Sequence, residues 1–309
     1  MTAAGETPAD TAAAVLGPTA RRRVPLGPYT TYRVGGAAEV LFEAQGPEDL
    51  ESVRAAVEAS AIDVLVVGKG SNLLVADAGF AGLAVVLGSD FETLAIDGRV
   101  VRAGAAVSLP VLARRTASAG LSGLEWAVGV PGSVGGGVRM NAGGHGSDIA
   151  ATLRQVGVAD LRSPRPGIVE VPADRLDLSY RHSNLSDHEV VVWAEFGLHP
   201  GDAASSEAEI ADIVRWRREH QPGGSNAGSV FTNPPGDSAG RLIDAAGLRG
   251  LRVGSASVST KHANFFQADP AGSADDVAAL MQEVQRKVQQ HSGVRLQPEV
   301  RMVGFPAER

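Results

Sequence analysis

The stretch Val128–Gly146 reads VGVPGSVGGGVRMNAGGHG, and eight of the eighteen residues from Gly129 to Gly146 are glycine. Glycine at this density lets the backbone reach positive φ and lets a ligand approach without interference from a Cβ. Successive bare N–H groups can then converge on an anion, most often a phosphate. A flexible linker is the alternative, but linkers are Gly/Ser-rich and otherwise polar. Here apolar anchors recur at Val128, Val130, Val134, Val138 and Met140. We therefore predict a folded loop that holds a diphosphate.

Length and composition limit the classes of protein to consider. A chain of 309 residues, 44% of them hydrophobic, can bury a sizeable core and predicts two or three domains. The net charge of −7 argues against a nucleic-acid-binding surface, which normally carries a basic excess. With no cysteine there are no disulfides and no Cys-ligated zinc, which is compatible with a cytosolic protein. No apolar run approaches the roughly 20 residues that span a bilayer, and the N-terminus lacks the features of a secretion signal.

The order of patterns along the chain predicts an α+β protein. The Ala/Pro/Thr-rich segment 1–22 is expected to be a disordered tail. Three folded units are expected after it, at 23–90, 91–200 and 201–309, with a Pro/Gly/Asp/Ser hinge opening the third. Asp97-Gly98 predicts a two-residue hairpin. Helical periodicity predicts helices at Pro47–Ser60, Ser108–Ala119, Ser206–His220, Ala239–Ala246 and Ala274–His291.

A second glycine-rich segment, Gly68–Leu74 (GKGSNLL), directly follows the predicted strand Val64–Val67. It matches neither the G-x-G-x-x-G fingerprint nor a Walker motif, and a tight turn would explain its glycines. Its amides and the hydroxyl of Ser71 could nevertheless hold phosphate oxygens at a strand end. Two such segments about sixty residues apart suit a dinucleotide better than a mononucleotide.

Two short polar clusters contain candidate catalytic groups. In Tyr180-Arg181-His182-Ser183, Arg181 needs an anionic partner if buried, so it forms either a structural salt bridge or a bidentate contact with a substrate carboxylate. In Asn226–Phe231, Ser229 does not lie in a nucleophile elbow. Ser229 is then either a turn cap or a proton donor to a developing carbanion.

Two further candidates lie near the C-terminus. Lys261–Phe266 (KHANFF) is expected to be a strand that sends alternate side chains to opposite faces. His262 has no metal-ligand spacing to the other histidines, so no metal site is predicted. Glu299 is either an exposed carboxylate or, if held in a cleft, a general acid with a raised pKa.

Taken together, these segments resemble the UDP-N-acetylenolpyruvoylglucosamine reductases, flavoenzymes that complete UDP-N-acetylmuramate in peptidoglycan synthesis. The resemblance runs collinearly from Thr30 to Val300. The matching segments are TTYRVGGAA, GKGSNLL, GVPGSVGGGVRMNAG, YRHS, NAGSVFTNP, AGRLIDAAGLRG, SVSTKHANFF and GVRLQPEV.

The resemblance implies a vanillyl-alcohol-oxidase-like (PCMH-type) fold with non-covalent FAD and with NADPH as hydride donor. Segments 23–90 and 91–200 would be the two FAD-binding subdomains, and 201–309 the substrate-binding domain. It implies a cytoplasmic enzyme whose partners are small molecules, with no nucleic acid, membrane or obligate protein partner. The implied FAD contacts are Gly68, Lys69, Gly70, Ser71, Asn72, Leu73, Gly129, Pro131, Gly132, Ser133, Gly135, Gly136, Asn141, Ala142 and Gly143.

The family's catalytic trio falls on Arg181, Ser229 and Glu299. The resemblance implies that NADPH reduces FAD, and that the flavin then passes hydride to the enolpyruvyl methylene carbon of UDP-N-acetylglucosamine enolpyruvate. Arg181 and Glu299 would stabilise the resulting enolate, and Ser229 would deliver the proton. The implied substrate contacts are Tyr180, Asn233, Lys261, His262 and Asn264.

Two departures from the family pattern bear on the substrate site. Thr232 stands where many relatives carry Lys, which removes a cationic contact with the diphosphate. The link between Glu195 and Ser229 is too short for the tyrosine-bearing substrate loop of one subgroup, so the chain resembles the shorter subgroup. Two alternatives remain open: another flavin oxidoreductase of this fold that acts on a hydroxy acid or sugar lactone, and a non-catalytic sugar-nucleotide-binding relative.

Overall fold

The computed structural model describes residues 6–306. Within them the α-helices are α1 Pro8–Leu16, α2 Pro47–Ser60, α3 Leu109–Ser118, α4 Val134–Arg139, α5 Ala203–His220, α6 Ala239–Ala245 and α7 Ala274–Ser292. The strands are β1 Arg21–Pro25, β2 Ala37–Ala44, β3 Val64–Val67, β4 Leu73–Val75, β5 Phe80–Leu87, β6 Leu94–Asp97, β7 Val100–Gly104, β8 Leu121–Ser122, β9 Gly143–Gly144, β10 Ser147–Asp148, β11 Leu153–Asp160, β12 Ile168–Pro172, β13 Glu189–Gly197, β14 His199–Pro200, β15 Arg252–Val253, β16 Ala256–Val258, β17 Phe266–Ala268 and β18 Arg301–Val303. None of the helices in the described part is long and apolar enough to cross a membrane.

The chain divides into two compact units that interleave in sequence. The described part of the first unit is 6–24, 38–69 and 81–215, and that of the second is 25–37, 70–80 and 216–306. The sequence predicts that all of 23–90 forms one subdomain, but two pieces of it, 25–37 and 70–80, pack with the C-terminal segment. They do so because Val34 and Leu74 lie in the same buried core as Val230. Most of α5 belongs to the first unit, since Ile210 and Ile213 are buried in that unit's core.

The first unit holds two larger sheets and the two-stranded pairs β10-β9 and β14-β8. One has the order β1-β2-β5-β3, with β3 parallel to β5 and Val64 opposite Leu83. The other has the order β12-β11-β13-β7-β6 and is antiparallel throughout. Its β6–β7 hairpin turns at Gly98-Arg99, one residue later than predicted, because Asp97 pairs with Val100.

The second unit is built on α7 and short strands. The apolar face of α7, which includes Val277, Met281 and Val284, is buried in a core that also contains residues of α6 and β16. Strands β15, β16 and β17 form an antiparallel sheet. Strand β18 pairs in parallel with β4, which places Arg301 opposite Leu73.

The predicted disordered tail is wrong for the residues that form α1. Thr7 and Asp10 form a reciprocal capping box, with Asp10 N donating to Thr7 Oγ1 at 3.2 Å and Thr7 N donating to Asp10 Oδ2 at 3.0 Å. The apolar stripe of α1 consists of Ala9, Ala12 and Leu16, which are buried in the same core as the inner face of α2. Burial of this face outweighs the disorder that the Ala/Pro/Thr composition suggests. Residues 1–5 of the predicted tail lie outside the described residues.

The predicted strand at Lys261–Phe266 is also wrong over most of its length. His262–Phe265 forms a turn closed by Phe265 N donating to His262 O at 3.0 Å, and regular pairing begins only at β17. Both Ala263 and Asn264 are buried, so the predicted alternation of faces does not hold.

Candidate active site

The two glycine-rich segments meet at Gly68 and Ser133 in the first unit. A Cβ on Gly68 would lie 2.4 Å from Ser133 Oγ, which is closer than real Cβ atoms come to such an oxygen. Ser133 is itself buried and caps α4 by accepting from Gly136 N at 3.4 Å. Gly68 and Gly136 are exposed. This approach of bare backbone is the feature that fits a dinucleotide, because a single methyl group would fill the gap.

The glycine-rich stretch is not a loop throughout, since α4 occupies its centre. Val134 N donates to Val107 O at 2.8 Å, and Gly135 N donates to Ala105 O at 2.9 Å. A Cβ on Gly135 would lie 3.0 Å from Ala105 Cβ, so Gly135 is needed for packing against the chain after β7. The prediction that successive bare amides converge on an anion is therefore wrong for residues 134–136, whose N–H groups are bonded within the protein.

The other predicted FAD contacts divide between the units. Gly68 and Lys69 belong to the first unit, whereas Gly70, Ser71, Asn72 and Leu73 belong to the second. Lys69 Nζ lies 3.1 Å from Glu92 Oε1 in an exposed ion pair. Leu73 is a buried residue of β4. The members that lie within the glycine-rich stretch of the first unit are Gly129, Pro131, Gly132, Ser133, Gly135, Gly136, Asn141, Ala142 and Gly143.

Asn141 ties the end of the glycine-rich stretch to the turn that carries Arg181. Asn141 is 2% exposed, and its Nδ2 donates to Ser179 O at 3.0 Å and to Asp148 Oδ2 at 3.2 Å. Its Oδ1 accepts from Ala150 N at 2.9 Å. The Asn141 side chain is thus engaged by the protein, so it positions this region, and a contact of Asn141 with FAD stays a prediction.

Arg181 is held against the same stretch. Its Nη2 donates to Gly143 O at 2.9 Å, and its guanidinium carbon lies 5.0 Å from the ring centroid of Tyr180. Tyr180 is 54% exposed. The structure therefore brings Arg181 and Tyr180 beside Gly143, a predicted FAD contact.

The backbone of this region is strained. Asn141, His145, Asp177 and Arg181 all have positive φ, at 38°, 52°, 46° and 58°. Such conformations cost about 1–3 kcal/mol each for residues other than glycine and concentrate at functional sites. Their concentration near Asn141 and Arg181 makes this region a candidate ligand site.

Ser229 and Glu299 come together in the second unit. Glu299 N donates to Val230 O at 2.8 Å, and Phe231 pairs with Pro298 in an isolated bridge. Asn72 Nδ2 donates to Glu299 O at 3.0 Å. Both Ser229 and Glu299 are half-buried. Backbone pairing therefore places the predicted proton donor beside the predicted acid.

A cavity of about 420 Å³ in the second unit contains five of the predicted residues. They are Ser229, Asn233, Lys261, His262 and Asn264. The sequence analysis missed the rest of its lining, which consists of Ser238, Gly240, Arg241, Asp244, Arg249 and Ala263. The only signal for them was the segment AGRLIDAAGLRG, in which no single residue stood out.

The missed residues give the cavity paired charges. Arg249 Nε lies 2.6 Å from Asp244 Oδ1, and Arg241 forms an ion pair with Asp237. The hydrogen bond from Arg241 lowers the pKa of Asp237 to about 2. Burial, followed by the charge of Arg249, holds the pKa of His262 below its usual value. The cavity therefore combines fixed cations with an imidazole that favours its neutral form.

Two of the predicted substrate contacts also serve the protein itself. Asn233 Oδ1 accepts from Ala239 N at 3.0 Å at the start of α6. Lys261 Nζ donates to Arg218 O. Their roles toward a substrate stay predictions.

Comparisons with known proteins identify the family to which this chain is similar. The family model for the C-terminal domain of UDP-N-acetylenolpyruvoylglucosamine reductase matches residues 220–303, and that for an FAD binding domain matches residues 38–162. The reductase of Rubrobacter xylanophilus is 43% identical over 94% of this chain and 97% of its own length. That of Acidiphilium cryptum is 43% identical over 92% of this chain and 91% of its own. The crystal structure of the reductase from Thermus caldophilus has a TM-score of 0.79 and 36% identity over 92% of this chain and 99% of that one.

The fold class expected from the sequence, a vanillyl-alcohol-oxidase-like FAD-binding domain followed by a C-terminal α+β domain, is confirmed. On these identities and coverages, the chain belongs to the UDP-N-acetylenolpyruvoylglucosamine reductase family.

Proposed function

We propose that this protein reduces the enolpyruvyl ether of UDP-N-acetylglucosamine enolpyruvate to UDP-N-acetylmuramate, with NADPH as reductant and non-covalent FAD as hydride carrier. As a member of its family, it is an FAD-dependent oxidoreductase of peptidoglycan precursor synthesis. The pairing of the Ser229 and Glu299 segments carries the proposal, because it gives a proton donor and an acid a common frame.

When bound, FAD would supply hydride for the methylene carbon of the substrate. The chain's residues then stabilise the negative charge on the substrate and supply the proton. Negative charge develops on the substrate's α-carbon and carboxylate, and the guanidinium of Arg181 stabilises it, since its planar fork matches two carboxylate oxygens. Glu299 in its protonated form donates a second hydrogen bond to the same enolate.

Ser229 Oγ delivers the proton to the α-carbon. A serine hydroxyl is a weak acid, so the basicity of the enolate drives the transfer and a polarising neighbour assists it. Holding Ser229 still is therefore as important as its chemistry. Two backbone contacts fix the position of Ser229. They are the bridge between Ser229 and Phe265 and the bond from Val230 N to Asn264 O at 2.9 Å.

The remaining predicted residues bind the two ligands. Gly68 and Gly136 would let FAD approach closely because neither carries a side chain, and Ser133, buried behind Gly68, would hold the segment in place. The cavity with Lys261, Arg241 and Arg249 suits the diphosphate of the sugar nucleotide, since their N–H groups can donate to its oxygens although the two arginines are also paired with Asp237 and Asp244. Thr232 supplies no charge there, and its hydroxyl donates to Gln297 O at 3.3 Å. We further propose a cytoplasmic location, where the small-molecule partners are NADPH and the sugar nucleotide.

A visible spectrum of the purified protein tests the function. We expect flavin absorbance that bleaches on adding NADPH without oxygen and recovers on adding the enolpyruvyl substrate. A colourless protein that cannot be reconstituted with FAD would instead support the non-catalytic relative. Oxygen-dependent turnover of a hydroxy acid, without turnover of the sugar nucleotide, would contradict the proposal.

A further inference from the structure

A second cavity lies apart from the residues assigned to the catalytic, FAD and substrate sets. It has a volume of about 640 Å³ and lies within the first unit, next to the β6–β7 turn and the start of β11. Its lining consists of Arg99, Val100, Ala151, Thr152, Leu153, Arg154, Gly197, Leu198 and His199. None of these belongs to the predicted catalytic, FAD or substrate sets, and none carries a carboxylate.

The charge of this cavity is unusual for the chain. Three cationic or protonatable side chains, Arg99, Arg154 and His199, surround it, and within residues 6–306 none of them forms an ion pair. Elsewhere in the described part many arginines are paired with acids, as Arg162 is with Asp63. The protein as a whole has a net charge of −7. A concentration of unpaired cations against that background indicates a site for an anion.

Thr152 supplies an independent observation. It is 9% exposed, and its Oγ1 is buried without a hydrogen-bond partner in the described structure. A buried polar group left without a partner costs about 1–3 kcal/mol. Thr152 lines the cavity, so a rotation about its Cα–Cβ bond would bring this buried hydroxyl to a ligand oxygen, the partner that it lacks.

The backbone at Gly197 leaves room for the side chain of Arg154. A Cβ on Gly197 would lie 2.2 Å from Arg154 Nε, so the absence of a side chain lets Arg154 lie across β13. Gly197 N donates to Thr152 O, and Leu198 N donates to Arg99 O, both at 2.8 Å. These bonds fix the segments that carry Thr152 and Arg99 at the cavity wall.

We propose that this cavity is a second ligand site that binds a phosphate-bearing anion. Two guanidinium groups carry two positive charges, which favours a phosphate over a single carboxylate. Arg99 and Arg154 bind the phosphate oxygens, and Thr152 donates its hydroxyl. The site is distinct from the cavity that contains Ser229, which lies in the other unit.

Calorimetric titration of the FAD-loaded protein with inorganic pyrophosphate tests the proposal. We expect the double variant Arg99→Gln/Arg154→Gln to weaken binding by about tenfold or more, the equivalent of losing one charge-assisted contact. The control is Arg114→Gln/Arg165→Gln, which removes the same charge from two exposed arginines outside the cavity and should leave binding unchanged. Equal weakening by both double variants would mean general charge attraction and would overturn the site.

Two further variants separate this site from the cavity with Ser229. Lys261→Gln should leave the Arg99-dependent binding intact, and binding that is lost in Lys261→Gln but kept in Arg99→Gln/Arg154→Gln would overturn the proposal. Thr152→Val should weaken pyrophosphate binding while raising the melting temperature of the ligand-free protein, because it removes an unpaired buried hydroxyl. Repeating the titration with ADP shows whether a nucleoside adds to the affinity of the phosphates.

Discussion

The side-chain amide of Asn264 pairs with both backbone groups of Phe231. Asn264 Oδ1 accepts from Phe231 N at 3.0 Å, and Asn264 Nδ2 donates to Phe231 O at 2.8 Å. Asn264 is 3% exposed, so these bonds are shielded from water. Because Phe231 is two residues from Ser229, Asn264 determines where the predicted proton donor sits.

Asn264→Leu should therefore cost both stability and catalysis. The change leaves the N–H and C=O of Phe231 buried without partners, so we expect a loss of about 2–4 kcal/mol in the free energy of unfolding. Asn264→Asp keeps only the acceptor, so its free energy of unfolding should lie between those of the unchanged protein and Asn264→Leu. Urea unfolding measures the loss. A role in substrate binding alone would raise KM and leave the unfolding midpoint where it is.

Ser229→Ala should separate the two half-reactions. Flavin reduction by NADPH should stay nearly intact, whereas reoxidation by the enolpyruvyl substrate should slow by about 10²- to 10⁴-fold, the usual contribution of a positioned proton donor. Stopped-flow absorbance of the flavin follows each step. Ser292→Ala, at the exposed end of α7, is the matched control and should leave both rates unchanged. Equal losses in both half-reactions would rule out the assigned role.

Gly68→Ala tests the approach of the two glycine-rich segments. The added methyl group meets Ser133 Oγ, and overpacking of this kind costs about 1–3 kcal/mol, so the affinity for FAD should fall by about tenfold. Titrating the apoprotein with FAD and following the flavin fluorescence measures this affinity. Gly223→Ala is the control, because no atom lies within 4 Å of its Cβ position. Adding Ser133→Ala to Gly68→Ala should recover part of the affinity, and a failure to recover any would mean that the loss has another origin.

The sequence predicts local structure well where the local signals agree. Helix α2 begins at Pro47 with two acidic residues in its first turn and ends at Ser60, as expected. The strand at Val64–Val67 is also confirmed. In α2 the initial proline, the acidic first turn and the hydrophobic period favour a helix, and in β3 the apolar, β-branched run favours a strand.

Features set by distant contacts could not be predicted in this way. The turn at His262–Phe265 depends on Asn264 bonding to a residue 33 positions away, and no local pattern reveals this. The same holds for the Arg99 and Arg154 cavity, which three separate segments build. The candidate catalytic residues were predicted because a family resemblance supplied what spacing alone left open.

The lowered pKa of His262 predicts a pH-dependent stability. The folded chain binds a proton on His262 less readily than the unfolded chain, because burial and the charge of Arg249 oppose it. The contribution of neutral His262 to the stability of the fold is therefore full above the unfolded pKa of about 6.5. It is lost as the pH falls toward the lower pKa of the folded chain. Replacing His262 by Gln should flatten the rise of melting temperature between pH 5.5 and 7.5. His291→Gln, on an exposed position of α7, should keep the slope.

Leu16→Ala tests whether the N-terminal segment is part of the fold. Leu16 is 7% exposed and packs in the core that also contains Leu50 and Val53 of α2, so we expect a loss of about 2 kcal/mol in the free energy of unfolding. Val15→Ala, on the same helix but 44% exposed, should cost far less. Thermal unfolding of both variants gives the comparison. A disordered tail would make the two substitutions equal and close to neutral, because neither side chain would then be buried on folding.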